Sequence, residues 1–265
     1  VHDGWQAQRM TALAEMYPNA KFLGLTATPI DQKGYLLEGF DHYVQDLQTP
    51  DLQKLGFLSP DKVFAPVKVN LDGVKTKGGD YDQNELAEAV DKDFIVANVL
   101  DHYKVKAANR KTIAFCVNIQ HAENTCAAFK AAGFKAEVIH SQMDDPDLRE
   151  KYLSDLRTGK IDILFNVGIL TTGFDDPSVD CVLFLRPTQS LRLYIQMAGR
   201  GLRVNEGKAD CLFLDCANLV RKFGVPSEYR IFEKKNFKEK PNNKNNRLLC
   251  PECDCLNSLT ATRCR

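Results

Sequence analysis

No surplus of charge marks this 265-residue sequence: 35 lysines and arginines face 35 aspartates and glutamates. That balance excludes a globally basic nucleic-acid-coating protein, so any contact with nucleic acid has to come from local groups. No apolar run approaches the roughly 18–20 residues that cross a bilayer, and mean hydropathy is -0.32. Membrane association is therefore not expected. The opening Val1-His2-Asp3-Gly4-Trp5 has neither a basic nor an apolar region of the kind that makes a signal peptide. It lacks an initiator methionine, and the gene product is expected to continue upstream. His2, His42, His102, His121 and His140 show no H-E-x-x-H spacing, and no G-x-S-x-G elbow is present. A phosphate-binding G-x-x-x-x-G-K-[ST] is also missing. Its nearest fragment, Thr158-Gly159-Lys160-Ile161, has neither the spacing nor the hydroxyl.

What is present is an ordinary globular composition, 44% hydrophobic and 26% charged, in a chain long enough for one or two domains. Cysteine is plentiful, with nine residues. Cys116, Cys126, Cys181, Cys211 and Cys216 lie in apolar runs, where a thiol behaves as a small hydrophobe. Cys250, Cys253, Cys255 and Cys264 crowd the C-terminal end. An odd total clustered in this way argues against a secreted disulfide framework and for a reducing, cytoplasmic setting.

Through the middle of the chain, helical and strand periodicities alternate. Ile95, Val99 and Tyr103 share one helical face, and Thr112-Ile113-Ala114-Phe115-Cys116-Val117 reads as a strand. A helix carrying Ala122, Cys126 and Phe129 on one side stops at Gly133. The strand Ala136-Glu137-Val138-Ile139 then leads to a helix that Asp145 can cap, with Pro146 at its first position and Gly159 past its end. Strands at 161–167, 181–185 and 210–214 follow, with a helix near 190–198 before the last. Continuous apolar strands alternating with amphipathic helices predict an α/β domain, a doubly wound parallel sheet covered on both faces. Ahead of it come a helix at 6–17 and a strand, Lys21-Phe22-Leu23-Gly24-Leu25, too little to make a domain alone. Residues 60–82, with Pro60, Pro66, Gly73, Gly78 and Gly79, read as a connection. Lys234, Lys235, Lys238, Lys240, Lys244 and Arg247 make 233–247 a polar, basic linker.

The strongest chemical signal is Gln196-Met197-Ala198-Gly199-Arg200-Gly201-Leu202-Arg203. Two arginines three apart at a helix end project to one side, and the flanking glycines let backbone approach a ligand. Arginine suits phosphate oxygens because its planar fork is always charged and bidentate. A solvated basic helix end is the alternative. The second signal is Leu170-Thr171-Thr172-Gly173-Phe174-Asp175-Asp176-Pro177, directly after a strand. Open parallel sheets bind phosphates and nucleotides at such carboxyl ends, although a turn of this kind alone can be a plain connection.

Together with Thr26-Ala27-Thr28-Pro29, these segments resemble motifs III, V and VI of the superfamily 2 helicases and translocases, in the same order and at matching spacing. Ala114-Phe115-Cys116-Val117-Asn118 looks like motif IV, although Cys116 and Asn118 could simply end a core strand. Leu185-Arg186-Pro187-Thr188-Gln189-Ser190, Gly207-Lys208 and Leu214-Asp215 are similar to the DExH-type subgroup of RadD-like repair helicases, prophage helicases and restriction-enzyme motors. The resemblance covers about residues 5–230 and implies a RecA-like fold. Residues 1–62 would be the end of a first RecA-like lobe and 63–90 an interlobe connection. Residues 91–232 would form the second lobe, 233–247 the linker and 248–265 an incomplete zinc ribbon.

By the same resemblance, Arg200 and Arg203 are arginine fingers on ATP bound, with Mg2+, to the other lobe, and Gln196 lies near the γ-phosphate. Gly173, Asp175 and Gly199 belong to the ATP-binding positions. Thr171, Thr172 and Asn118 hold a nucleic-acid backbone, DNA rather than RNA, and Thr26 and Thr28 couple the ATP state to lobe closure. The family's phosphate loop and DExH box lie upstream of its "TATP" motif, so this chain alone is expected not to hydrolyse ATP. Repair or restriction proteins are the protein partners this implies.

Cys250-Pro251-Glu252-Cys253 followed by Cys264 fits three ligands of a structural Zn2+ site, since paired thiolates on tight turns build its tetrahedron. The alternative is a cysteine-rich tail without metal. Two other readings of the whole stay open: a catalytically inert helicase-like adaptor that uses the zinc ribbon, and the motor subunit of a restriction system.

Overall fold

The computed structural model describes residues 3–66, 69–90, 93–170, 174–232, 248–250 and 256–257. In chain order the elements are α1 (Asp3–Met16), α2 (Thr49–Lys54), β1 (Asp61–Phe64), β2 (Thr76–Lys77), β3 (Asp80–Tyr81), α3 (Gln83–Val90) and α4 (Asp93–Lys106). Then come β4 (Thr112–Phe115), α5 (Ile119–Ala131), β5 (Ala136–His140), α6 (Pro146–Arg157), β6 (Ile163–Val167) and β7 (Cys181–Phe184). The last are α7 (Leu191–Gly199), β8 (Cys211–Asp215), α8 (Leu219–Phe223), β9 (Leu248–Leu249) and β10 (Leu256–Asn257).

Six strands form one sheet in the order β1-β8-β7-β4-β6-β5. Every pairing in it is parallel, as the alternating pattern predicts. Both faces are covered. On one face α3, α4 and α5 pack Leu86, Val90, Val99, Tyr103, Cys126 and Phe129 against Ala114, Ile163 and Phe165. Leu156 of α6, Tyr194 and Met197 of α7 and Leu219 of α8 cover the other, against Ile113, Phe115, Leu164, Phe184 and Phe213. Successive residues of β4 and β6 therefore go to opposite cores, which is why those strands read as unbroken apolar runs. The rings of Tyr103 and Phe129 meet edge-on at 5.0 Å, and the Tyr103 hydroxyl lies 3.0 Å from Thr112 Oγ1. The cysteines at 116, 126, 181, 211 and 216 are all buried in these cores.

Local signals place the helices. The Asp145 carboxylate accepts hydrogen bonds from the amides of Asp147 and Leu148, both at 3.0 Å, and so caps α6. Gly133, at φ +92, turns the chain out of α5 as only glycine does easily.

Two expectations need correction. The segment Lys21-Phe22-Leu23-Gly24-Leu25 is not a strand, and Leu23 and Leu25 are 86% and 88% exposed. A strand exists only when a neighbour takes its hydrogen bonds, and no described strand runs beside it. The sheet also begins earlier than expected. β1 pairs with β8 from Asp61↔Cys211 to Phe64↔Leu214, so the division at 62/63 runs through an edge strand. α3, inside the expected connection, buries Leu86, Ala87 and Val90 in the core.

Candidate functional site

The site grows from the far end of α7. Ser190 starts that helix, its hydroxyl accepting the Leu193 amide hydrogen bond at 3.3 Å. Tyr194, Met197 and Ala198 bury the helix against the sheet, which brings Arg200 to its end. The Gly201 backbone then presses onto β7 and β8. A Cβ there would lie 2.3 Å from Cys211 Sγ and 2.7 Å from Val182 Cγ2. Gly201 is thus a packing glycine, a correction to the expectation that it opens the backbone to a ligand. Gly199 has no atom within 4 Å of the place its Cβ would occupy, which leaves that side of the backbone open.

Past Gly201 the chain is held by residues far earlier in the sequence. Leu58 and Arg203 form an antiparallel bridge, Ser59 N donates to Leu202 O at 2.7 Å, and Ser59 Oγ donates to Arg203 O at 2.9 Å. Both arginines then reach one acceptor. Arg200 Nη1 donates to the Phe174 carbonyl at 2.6 Å and Arg203 Nη1 to the same oxygen at 2.9 Å. The Phe174 side chain is buried in the core below, which fixes that carbonyl. Asp175, exposed beside it, pairs with Arg203 at 3.0 Å. Burial pushes the Arg200 pKa down and the neighbouring Arg203 charge pushes it further, while Asp175 opposes both. Two cations at one neutral oxygen create a local excess of positive charge that an anion would relieve.

Gln196 and Thr28 also meet, the Gln196 amide donating to Thr28 Oγ1 at 3.4 Å across 168 residues of chain. Thr28 is buried, and its amide donates to Thr26 Oγ1 at 3.0 Å, while Thr26 itself is exposed. The structure therefore brings Thr28, Gln196, Arg200, Arg203 and Asp175 into one neighbourhood. Thr171, Thr172 and Gly173 lie outside the described residues. Asn118 stands at the carboxyl end of β4, where its side chain caps α5 by accepting the His121 amide hydrogen at 2.8 Å.

Cys250 follows β9 directly, half-exposed, and β9 and β10 pair antiparallel, Leu256 with Leu249 and Asn257 with Leu248. Cys253 and Cys264 lie outside the described residues. Among those described, no group of three or more His, Cys, Asp or Glu side chains is arranged to hold a metal. Nor is any helix long and apolar enough to cross a membrane.

Reasoning from sequence missed the groups that hold this arrangement. Asp80, on the β2–β3 hairpin, accepts hydrogen bonds from Thr188 Oγ1 and Gln189 N, both at 2.6 Å, and so grips the approach to α7. Ser59 and the Phe174 carbonyl had no local signal either, because a backbone acceptor and a lone serine look alike everywhere in a sequence. A cavity of about 290 Å³ opens near Tyr81, Thr188, Asn218 and Lys222 and includes none of the arginine cluster.

The parallel sheet thus carries Asp175 in the loop after β6 and the arginine pair just past the end of α7. Residues 93–205 match the helicase conserved C-terminal domain, and with the relatives that follow this match supports a superfamily 2 helicase C-terminal lobe. A Schizosaccharomyces pombe protein named as a mitochondrial ATP-dependent helicase, irc3, is 34% identical over 207 residues. That alignment takes in 77% of this chain and 34% of the yeast protein, so the chain spans about a third of that relative. The type I restriction enzyme EcoKI endonuclease subunit of Escherichia coli is 32% identical over 138 residues, 47% of this chain and 12% of that protein. Among solved structures, a fragment described as the HsdR subunit of a type I restriction enzyme from Vibrio vulnificus shares the fold. Its TM-score is 0.56 at 24% identity, over 70% of this chain and 38% of that one.

Proposed function

We propose that this chain is the arginine-finger half of an ATP-dependent nucleic-acid helicase or translocase, working on DNA rather than RNA. The observation that carries the reading is the convergence of Arg200 and Arg203 on the Phe174 carbonyl, 2.6 and 2.9 Å away. Those guanidiniums have the charge and the geometry to take phosphate oxygens of ATP in place of a neutral acceptor. Gln196, in contact with Thr28, would report the state of that nucleotide to the segment preceding the lobe. Mg2+ would accompany the bound ATP. Thr171, Thr172 and Asn118 would supply sequence-independent grips on a phosphate backbone, and Asn118 follows β4 at the carboxyl end of that strand.

Hydrolysis needs a phosphate loop that this sequence lacks, so the 265-residue chain alone is inactive on this reading. The test is ATP hydrolysis by the full-length gene product with single-stranded DNA, duplex DNA and RNA. Stimulation by DNA is expected. Arg200→Ala should lower kcat by something on the order of 10³-fold, the lower end of what arginine fingers supply in phosphoryl transfer. Turnover indifferent to every polymer, or unaffected by Arg200→Ala, would overturn it. The names of the restriction-enzyme relatives favour a second form of the reading, a restriction motor, which an attached nuclease would reveal. For Cys250, Cys253 and Cys264 we propose a structural Zn2+ site completed by one further ligand, supported by the antiparallel pairing of β9 with β10 on either side of the first two in the sequence. A folded, metal-free tail in a chain extended past Arg265 would refute that part.

A further inference from the structure

The two arginines face a mechanical problem. They carry like charges, they meet at one neutral oxygen, and the backbone bearing them follows a helix end, where chains fray easily. Something has to hold that backbone in place whether or not an anion is bound. Lys208 sits at this point. Its ammonium donates to Val179 O at 2.6 Å, Gly201 O at 2.6 Å and Arg203 O at 2.7 Å, with Pro177 O at 3.4 Å. An ammonium has three hydrogens, so three short bonds saturate it. Two of those acceptors bracket the segment that ends in Arg203. The third belongs to the loop that continues from Phe174 and Asp175. The ammonium therefore ties the arginine-bearing backbone to the loop whose carbonyl the arginines share.

We infer that Lys208 is a positioning residue for the arginine pair, joining residues 201–203 and 177–179 into one unit so that both guanidiniums keep their aim. The inference rests on the arginine-finger reading above. A lysine placed for solubility would hold its charge in water. This one is drawn in from solvent, and burial lowers its pKa, with the Asp180 and Asp176 carboxylates acting in the opposite sense. Arginine is no substitute, because a planar fork does not point hydrogens at three carbonyls converging on a single point.

Two measurements test this, each with Lys208→Met. Phe129→Leu serves as a destabilised control, since it thins the core on the other face of the sheet. In the 265-residue chain, the Nε–H resonance of the Arg203 side chain reports whether the guanidinium is held. Lys208→Met should collapse that signal into the averaged arginine envelope, and Phe129→Leu should leave it resolved. A signal that survives Lys208→Met, or that vanishes equally in both variants, overturns the inference. In the full-length protein, Lys208→Met should cut kcat for ATP by about 10–100-fold, the scale of a misplacement near 1 Å, with KM changed by no more than about twofold. An unchanged kcat, or a loss the control shares, also overturns it. If the wild-type protein shows no polymer-stimulated hydrolysis, the motor reading fails. The resonance experiment still decides whether Lys208 holds the arginines.

Discussion

Replacing Gly201 with alanine probes how closely the arginine segment must lie on the sheet. The added methyl would sit 2.3 Å from Cys211 Sγ and 2.7 Å from Val182 Cγ2. Normal carbon contacts are about 3.5–4.0 Å, so the methyl and its neighbours have to separate by more than 1 Å. Neither neighbour can yield easily. Cys211 and Val182 are both fully buried, on two strands paired in the middle of the sheet. The arginine segment must lift instead, against the bridge from Leu58 and the bond from Ser59. Overpacking of this kind costs about 1–3 kcal/mol. At about 2–4 °C per kcal/mol for a domain of this size, Gly201→Ala should lower Tm by several degrees. Thermal unfolding of the 265-residue chain measures it. Cys211→Ala removes the nearer of the two clashing atoms, so the double variant should recover part of the loss. A coupling near 1 kcal/mol in the double-mutant cycle is the expected scale for atoms in contact. If Gly201→Ala melts with the wild type, or if its loss simply adds to that of Cys211→Ala, the close-packing argument is wrong.

Other outcomes follow from the same geometry. Asp145→Ala removes both cap bonds of α6 and should cost about 1 kcal/mol in denaturant unfolding, with Asp145→Asn largely neutral. Asp80→Ala should loosen the turn before α7 and destabilise the chain by about 1–3 kcal/mol, because charge-assisted bonds to Thr188 and Gln189 disappear together. Burial raises the Asp210 pKa, but the hydrogen bonds and charges of Lys62 and Arg110 outweigh it, and the net shift is downward. The stability this carboxylate contributes is therefore complete above its unfolded pKa, near 4, and is lost as pH falls through the lower folded value. Asp210→Asn should flatten that acid limb of a stability–pH curve. Thr28→Val deletes the hydroxyl that Gln196 meets, and in the full-length protein strand movement should fall while ATP hydrolysis persists.

The parallel sheet was legible in the sequence because burial on both faces leaves a continuous apolar run, and helices between such runs leave a 3.6-residue period. Asp145, Gly133 and the alternating cores of β4 and β6 are all consequences of local chemistry, and each stands where its residue type predicted. The arginine pair was legible too, through spacing and resemblance. Periodicity failed at both ends of the first ninety residues. Lys21–Leu25 carries strand-forming residues without a partner in the described chain to take its hydrogen bonds. β1 becomes a strand because β8 lies beside it, an edge created by the fold of residues 65–210 between them.

What tertiary structure alone decided is which atoms the functional residues meet. Sequence placed Gly201 beside a ligand, whereas the fold uses it against Cys211 and Val182. It offered Lys208 only as part of a familiar pattern, whereas the fold surrounds its ammonium with carbonyls from two loops. Backbone oxygens carry no residue-type signature, so an acceptor such as Phe174 O becomes visible only once the chain has folded around it. The residue types therefore set the class of the lobe and its charged chemistry, and long-range packing set the aim of that chemistry.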